Sequence, residues 1–363
     1  MTEKIQACRN DEEFNYSLPS ELIAQEPSES RELSRLMVLN TGAETFAHEK
    51  FARLVEHIRP GDLIVLNNTR VVPSRLKASK ERNGASAEVL LVREIEDNLW
   101  EVLLKPAKRI KVGDVLLLER GARADVLEGC DGIRYRMVRF HTADNKNIKD
   151  MLFEIGEVPL PPYIKRDNRP TAKDAHRYQA VYAKKEGAVA APTAGFHFTC
   201  DLMDRIRKRG AVFAEITLHI GPGTFRPIRG DVFEHSMDEE YFETDRETAD
   251  LIIKKHISGS RIIAVGTSAV RTLETLAGLA EFSSSLKQGA ARSGFSGWTG
   301  LYICPGYNFK LINAMITNFH MPMSTPFVLT CAFAGTRFIK NVYSEAIRSG
   351  YRFLSFGDAM LIT

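Results

Sequence analysis

Nowhere does the sequence stay apolar for the roughly 20 residues needed to cross a bilayer, so a helical membrane protein is not the expected class. Met1 to Asn15 is polar and acidic and lacks the basic-then-apolar order of a secretory leader. The cytoplasm is the expected compartment. The five cysteines (Cys8, Cys130, Cys200, Cys304, Cys331) are scattered and never form Cys-x-x-Cys, which argues against a disulfide framework or a zinc knuckle and leaves free thiols. A strong charge bias is also missing. With 49 basic and 46 acidic residues the net charge is +3, which permits nucleic-acid binding without requiring it. There is no G-x-x-x-x-G-K-[ST], no G-x-G-x-x-G after the first strand, no H-E-x-x-H and no G-x-S-x-G. Nucleoside-triphosphatase, Rossmann, zincin and lipase readings lose their usual support.

What is present suffices for two cores: 363 residues exceed one typical domain, and 44% are hydrophobic. The chemistry is expected between Gly187 and Gly223, where two loops rich in Gly, Pro and Thr each carry a histidine. Pro192-Thr193-Ala194-Gly195 lets the backbone turn before His197. Thr199 then N-caps a helix that ends at Gly210. Val212, Ala214, Ile216, Leu218 and Ile220 alternate with polar residues, so a strand follows and His219 points off its other face. Gly221-Pro222-Gly223-Thr224 is a loop small enough for a ligand to approach the backbone.

The rest of the chain divides by pattern. A buried strand, Leu63 to Leu66, releases the polar Asn67-Asn68-Thr69-Arg70. From Pro73 to about residue 149 short alternating segments are separated by turns: Arg75 to Lys80, Ala87 to Arg93, Leu99 to Leu104, Val115 to Glu119, Arg123 to Leu127 and Ile133 to Phe140. They predict a six-stranded antiparallel barrel. Its Lys105, Lys108, Arg109 and Lys111 suit either a solvated rim or an RNA contact. The expected fold is therefore mixed α/β. A domain of residues 1–72 and 150–363, with a central, mostly parallel sheet, is interrupted by the barrel domain of residues 73–149. Ile262 to Val265 is a strand opening onto Gly266-Thr267-Ser268, where free N–H groups at a helix start suit a carboxylate or a phosphate. Glu281 to Gly300, rich in Ser, Gly and Ala, reads as a mobile loop, and Thr325 with Pro326 as an N-cap and first helical residue. Tyr351 to Thr363 reads as strand until the turn at Gly357-Asp358.

Four of the nine histidines, His197, His219, His235 and His320, adjoin such loops and would serve as acids or bases near neutral pH if they meet in space. No pair has metal-ligand spacing, and no metal is expected.

Several longer motifs go further. Leu18-Pro19 with Leu22-Ile23-Ala24-Gln25, Ser34-Arg35-Leu36, Gly61-Asp62 through Asn67-Asn68-Thr69-Arg70-Val71, and Pro159-Leu160-Pro161-Pro162-Tyr163-Ile164 occur in order. Tyr178-Gln179-x-Val181-Tyr182, Ala190-Ala191-Pro192-Thr193-Ala194-Gly195-x-His197-Phe198 and Thr217-Leu218-His219-x-Gly221-x-Gly223-Thr224-Phe225 follow. Gly266-Thr267, Val270-Arg271, Thr317-Asn318-Phe319-His320, Tyr351-Arg352-Phe353 and Gly357-Asp358-Ala359-Met360 complete the set. Together they resemble the S-adenosylmethionine:tRNA ribosyltransferase-isomerases of queuosine biosynthesis, from about Tyr16 to the C-terminus.

The resemblance implies that S-adenosylmethionine serves as ribosyl donor, and that the partner is a tRNA bearing 7-aminomethyl-7-deazaguanine at the wobble position. Epoxyqueuosine would form with release of adenine and methionine. A sulfonium acidifies the neighbouring C5′ protons, so such a route needs acid–base groups. On this reading His197 and His219 are catalytic, supported by His320 and His235. Arg70 and Arg271 would hold a carboxylate or phosphate. Thr193, Gly195, Gly221, Gly223, Thr224 and Thr267 would position the methionine tail or ribose. Asn67, Glu240 and Asn318 complete the binding set. Asp238 stands where the family's usual pattern has a second histidine, Ser268 where a threonine is common, and Pro326 where a leucine is usual. A methyltransferase would instead release S-adenosylhomocysteine. A non-catalytic tRNA-binding relative would lack the loop histidines. A monomer is the simpler expectation for the assembly.

Overall fold

The structure, a computed structural model, describes residues 12–127, 135–142, 146–167 and 169–363. A nine-stranded mixed sheet carries the larger part. Its order is Phe295–Thr299, Glu240–Thr244, Val212–Leu218, Leu63–Asn67, Ile262–Val265, Ala314–Asn318, Ala359–Ile362, Arg35–Asn40 and Thr45–Lys50. The four strands from Val212–Leu218 to Ala314–Asn318 are mutually parallel. Both flanks include antiparallel pairings.

Continuous apolar runs mark the central strands because both faces are covered. Leu63 and Val65 point into one core, together with Ile262, Ala264 and Met315. That core is roofed by the helices Arg246–Ile257, Thr267–Gly278, Thr325–Ala334 and Thr336–Arg348. The alternate residues Ile64, Leu66, Ile263 and Val265 point into a second core, shared with Phe51 and with Leu202 and Ile206 of the helix Cys200–Lys208. Each such side chain contributes about 1.5–3 kcal/mol when fully buried.

Between Leu63–Asn67 and Val212–Leu218 the chain makes a closed barrel. Arg75–Lys80, Ser86–Glu96, Leu99–Lys105, Arg136–His141, Arg123–Val126 and Val115–Leu118 pair antiparallel in that order, and Val115–Leu118 returns to Arg75–Lys80 with Ala78 opposite Leu118. Closure leaves none of these strands as a bare edge. The interior is filled by residues such as Leu76, Val89, Val102, Leu116, Val138 and Phe140, and Leu152 of the helix Ile148–Ile155 joins them. The expected barrel strands are thus present, although Ile133 and the turn at Gly129 to Gly132 lie outside the described residues.

Three local expectations are corrected. Glu281 to Gly300 is not a loop: Ala280–Gln288 is a helix stopped by Gly289 at φ 78°, and Phe295–Thr299 is the sheet's edge strand. Its small residues mask a narrow apolar stripe, in which buried Phe282 packs edge-on to Phe295 at 5.4 Å. The N-cap of Thr325–Ala334 is Ser324, whose hydroxyl accepts the Phe327 N–H, so Thr325 is already helical. In the tail the strand follows the Gly357-Asp358 turn and the apolar run before it is irregular. Tyr351 and Phe353 are buried there by packing on Phe319 rather than by pairing in the large sheet.

Candidate active site

Loops at the carboxyl ends of parallel strands are where α/β proteins form sites, and here several of them meet. Val212–Leu218 runs into Ile220 to Phe225, Ile262–Val265 into Gly266 to Ser268, and Ala314–Asn318 into His320 and Met321. Gly266 adopts φ 87°, a turn that a side chain would strain, and so starts the helix Thr267–Gly278 directly beneath the strand end. With Ala190 to Thr193 and the Ser324–Pro326 helix start, these loops enclose a cleft of about 1040 Å³, part of it open to solvent. Ile220, Ile303, Met321, Leu329 and Leu354 supply apolar wall. Thr193, Thr224, Glu240, Thr267, Arg271, Asn318 and His320 supply polar wall. An annex of about 1120 Å³ beside it, part of it likewise open to solvent, is lined by Gly223, Arg229, His235 and Asp238, and shares Thr224, Arg226 and Glu240 with the main cleft.

The polar wall is fixed from behind. Asn318, at the last position of its strand, is buried; its Oδ1 accepts the Thr193 hydroxyl at 3.0 Å and its Nδ2 donates to Leu354 O at 3.1 Å. That orientation turns the amide N–H toward His197 Nε2, 3.2 Å away. His197 must therefore accept at Nε2, and its Nδ1–H donates to Ser34 Oγ at 2.7 Å, with Ser34 passing its own hydrogen to Arg31 O. Burial, with Arg352 and Arg31 nearby, pushes the His197 pKa down to about 3, so the ring is neutral. It stacks on Phe51 and stands behind the cleft wall, touching a separate recess.

Arg271 is equally committed. Its Nε donates to Leu301 O at 2.9 Å, Nη2 to Thr299 O at 3.1 Å and Nη1 to Glu240. Glu240 also accepts the Gly221 N–H at 2.8 Å, which anchors the glycine loop to the strand Glu240–Thr244. Both residues face the cleft, yet the guanidinium has a protein partner on every nitrogen. Arg226 differs: Nη2 meets Asp238 and the Tyr135 hydroxyl, whereas Nε and Nη1 are buried with no hydrogen-bond partner.

The four loop histidines do not converge. His320 lines the cleft, its Nε2 2.7 Å from Thr317 Oγ1, and burial pushes its pKa down to about 3. His235 lines the annex and meets Tyr302 edge-on at 5.1 Å. His219 faces away, as its strand parity requires, with Nδ1 2.8 Å from Thr69 Oγ1 and its ring stacked on Tyr241. Its pKa is lowered by burial against an opposing pull from Glu243.

Of the remaining expected residues, Asn67 is wholly buried and spends its amide on Leu218 and Ser268. Arg70 is exposed and pairs with Glu186 at 3.7 Å. Gly195 is a packing glycine, since a Cβ there would lie 2.2 Å from the Tyr182 hydroxyl. Gly223 lines the annex, and a Cβ on it would press on Asp238. Arg226, Met237, Tyr302 and Ser355 line the cleft and were not among the expected site residues; Ser268, read at the anion-suited helix start, lines it too, and Asp238, noted where the family's usual pattern has a histidine, lines the annex. Phe225-Arg226-Pro227, directly after the glycine loop, was the available signal for the first of these.

A parallel α/β core whose strand-end loops build a cleft of apolar, acid–base and cationic groups, with a barrel packed beside it, defines an enzyme. Residues 11–362 match the family described as queuosine biosynthesis protein, and the chain belongs to that family. It is 46% identical to the S-adenosylmethionine:tRNA ribosyltransferase-isomerase of Thermotoga petrophila, over 96% of this chain and 98% of that one. With the enzyme of the same name from Staphylococcus haemolyticus it shares 47% identity, over 97% and 99%. The crystal structure of S-adenosylmethionine tRNA ribosyltransferase from Thermotoga maritima matches at a TM-score of 0.54 and 36% identity, covering 97% of this chain and 100% of that one.

Proposed function

We propose that the protein transfers and isomerises the ribosyl group of S-adenosylmethionine onto 7-aminomethyl-7-deazaguanine at the tRNA wobble position, giving epoxyqueuosine-tRNA with release of adenine and methionine. The observation that carries this reading is the convergence of its motif loops on one cleft: Thr193, Thr224, Thr267, Asn318 and His320 lie on four separate loops and line the same space. The apolar wall suits an adenine and a thioether chain, and the polar wall a ribose.

His320, neutral at pH 7 and inside the cleft, is the group we assign to C5′ deprotonation. His235 assists from the annex. His197 and His219 support the reaction from behind the wall by holding Asn318 and Thr69. Arg226 offers its free nitrogens to the methionyl carboxylate, a pairing of the charge-assisted kind. Residues 1–72 with 150–363 act as the catalytic unit and residues 73–149 as an inserted barrel unit. No helix among the described residues is long and apolar enough to cross a membrane, and a cytoplasmic location accords with a tRNA substrate.

The test is product analysis. Purified protein is incubated with S-adenosylmethionine and tRNA carrying the deazaguanine base. Adenine and methionine in equal amounts, dependent on that tRNA, are expected, and His320→Ala should lower kcat by at least about 100-fold as for loss of a general base. Release of S-adenosylhomocysteine would replace this reading with methyl transfer.

A further inference from the structure

Behind the cleft wall lies a second, smaller recess of about 260 Å³ whose charge is unbalanced. It is lined by Ser28, Arg31, Arg177, His197, Ser355 and Gly357. Arg31 donates from Nη1 to Phe196 O at 3.0 Å and lies over the Phe196 ring. Arg177 donates from Nη2 to Ser28 O at 2.7 Å, and its Nε is buried with no hydrogen-bond partner. Arg352, whose charge is felt at His197, bonds only the carbonyls of Glu26 and Phe356 through its side chain. None of the three arginines forms an ion pair with a carboxylate among the described residues. Of the acidic side chains nearest along the chain, Glu29 is exposed, Glu32 pairs with Arg205, Asp174 with Arg166, and Glu26 with Arg166 and Lys173.

Like charges are not gathered in a half-buried recess without cost. Arg31 feels burial first and Arg177 second, and both lower its pKa, to about 10. A guanidinium left without an anion in such a place loses hydration that backbone carbonyls only partly replace. One oxyanion with several acceptor oxygens would offset both effects, and planar arginine forks fit a phosphate bidentately.

We propose that this recess, built by Arg31 and Arg177 with Arg352 at its edge, binds one backbone phosphate of the tRNA substrate. The inference rests on the function proposed above for its choice of RNA. Ser355 lines both the recess and the cleft, so a phosphate held here lies one residue layer from the reacting base. It would fix the register of the anticodon strand while contributing nothing to base identity.

The test measures tRNA affinity of the full chain against salt concentration, without turnover, for wild type, Arg31→Gln/Arg177→Gln and Arg31→Lys/Arg177→Lys. S-adenosylmethionine affinity is measured in parallel. Loss of one phosphate contact on a single strand should raise the tRNA Kd about tenfold and flatten the log–log salt slope by about 0.7. S-adenosylmethionine affinity should stay within twofold, and the lysine pair should retain the slope. An unchanged slope in the glutamine pair overturns the proposal, as does equal weakening of both ligands, which would mark a damaged wall. Should wild type bind tRNA yet release no adenine, the ribosyl-transfer reading fails while the salt series still decides the recess.

Discussion

Replacing Glu240 by leucine removes the carboxylate that neutralises Arg271, whose side chain is 6% exposed. Taking one partner from a buried ion pair typically costs about 3–5 kcal/mol, because the other charge stays behind. The Gly221 N–H would lose its acceptor as well, a further penalty of about 1–3 kcal/mol that overlaps with the first. Glu240→Leu should therefore destabilise the protein by roughly 4 kcal/mol. The companion Arg271→Met removes the stranded charge. Leu301 and Thr299 then lose a donor to their carbonyls, but carbonyls tolerate this better than a buried cation tolerates isolation. The double variant should recover about 2 kcal/mol relative to the sum of the singles, a coupling within the range for groups in contact. Urea unfolding of the four proteins, followed by fluorescence and far-UV dichroism together, measures it. Activity is not expected to return in the double variant, since the Gly221–Thr224 loop has lost its anchor. A single-variant cost below about 1 kcal/mol, or strict additivity, would show that solvent reaches the pair and that the wall is not built as described.

Arg226→Lys should raise the KM for S-adenosylmethionine by at least about tenfold with kcat little changed, because a point charge replaces a fork; an unchanged KM would take the carboxylate elsewhere. His197, held near pKa 3 in the folded state against about 6.5 unfolded, makes the unfolded chain the better proton binder between those values. Stability should thus fall as the pH drops from about 6.5 toward 3, by up to about 1.4 kcal/mol per pH unit for this one proton. His197→Gln should flatten that slope by the same amount, read from urea midpoints across pH. Gly195→Ala should be strongly destabilising, and Tyr182→Phe should partly rescue it. The Cβ would meet the Tyr182 hydroxyl at 2.2 Å, an oxygen without a partner of its own, while the ring carbon at 2.9 Å would remain. Thermal melts of the two singles and the double decide.

Periodicity was enough for the barrel and the parallel strands, since burial on one or both faces writes a period of two or an unbroken apolar run directly into the chain. Ile262–Val265 was read to the residue for that reason. Ala280–Gln288 was missed because a helix covering a small patch needs few apolar residues, and Phe282 stands among serines. The site divided along the same line. Motif loops located Thr193, Thr224, Thr267, Asn318 and His320 in the cleft, whereas His197 and His219, on loops of the same kind, stand outside it. That depends on partners distant in sequence: Ser34 and Phe51 for the first, Thr69 and Tyr241 for the second. Arg226 was hidden for a related reason, and Asp238 was legible only as a departure from a family pattern, as the meaning of both comes from Tyr135 of the barrel segment.

The strand Ala359–Ile362 lies inside the sheet, antiparallel to Ala314–Asn318 on one side and parallel to Arg35–Asn40 on the other. During synthesis the barrel, whose partners are near one another in sequence, can form early. Arg35–Asn40 must wait, joined only to its hairpin mate Thr45–Lys50, until Ala359–Ile362, more than 300 residues further along, has been made. Leu354 and Ser355, which finish the cleft, arrive in the same final stretch. A copy shortened by a dozen residues would therefore display an unpaired sheet edge and a cleft missing one side. The fold thus makes the stretch from Leu354 to Ile362 a condition of both a closed sheet and a complete cleft, so a chain released before it is exposed to proteolysis before it can engage its substrates.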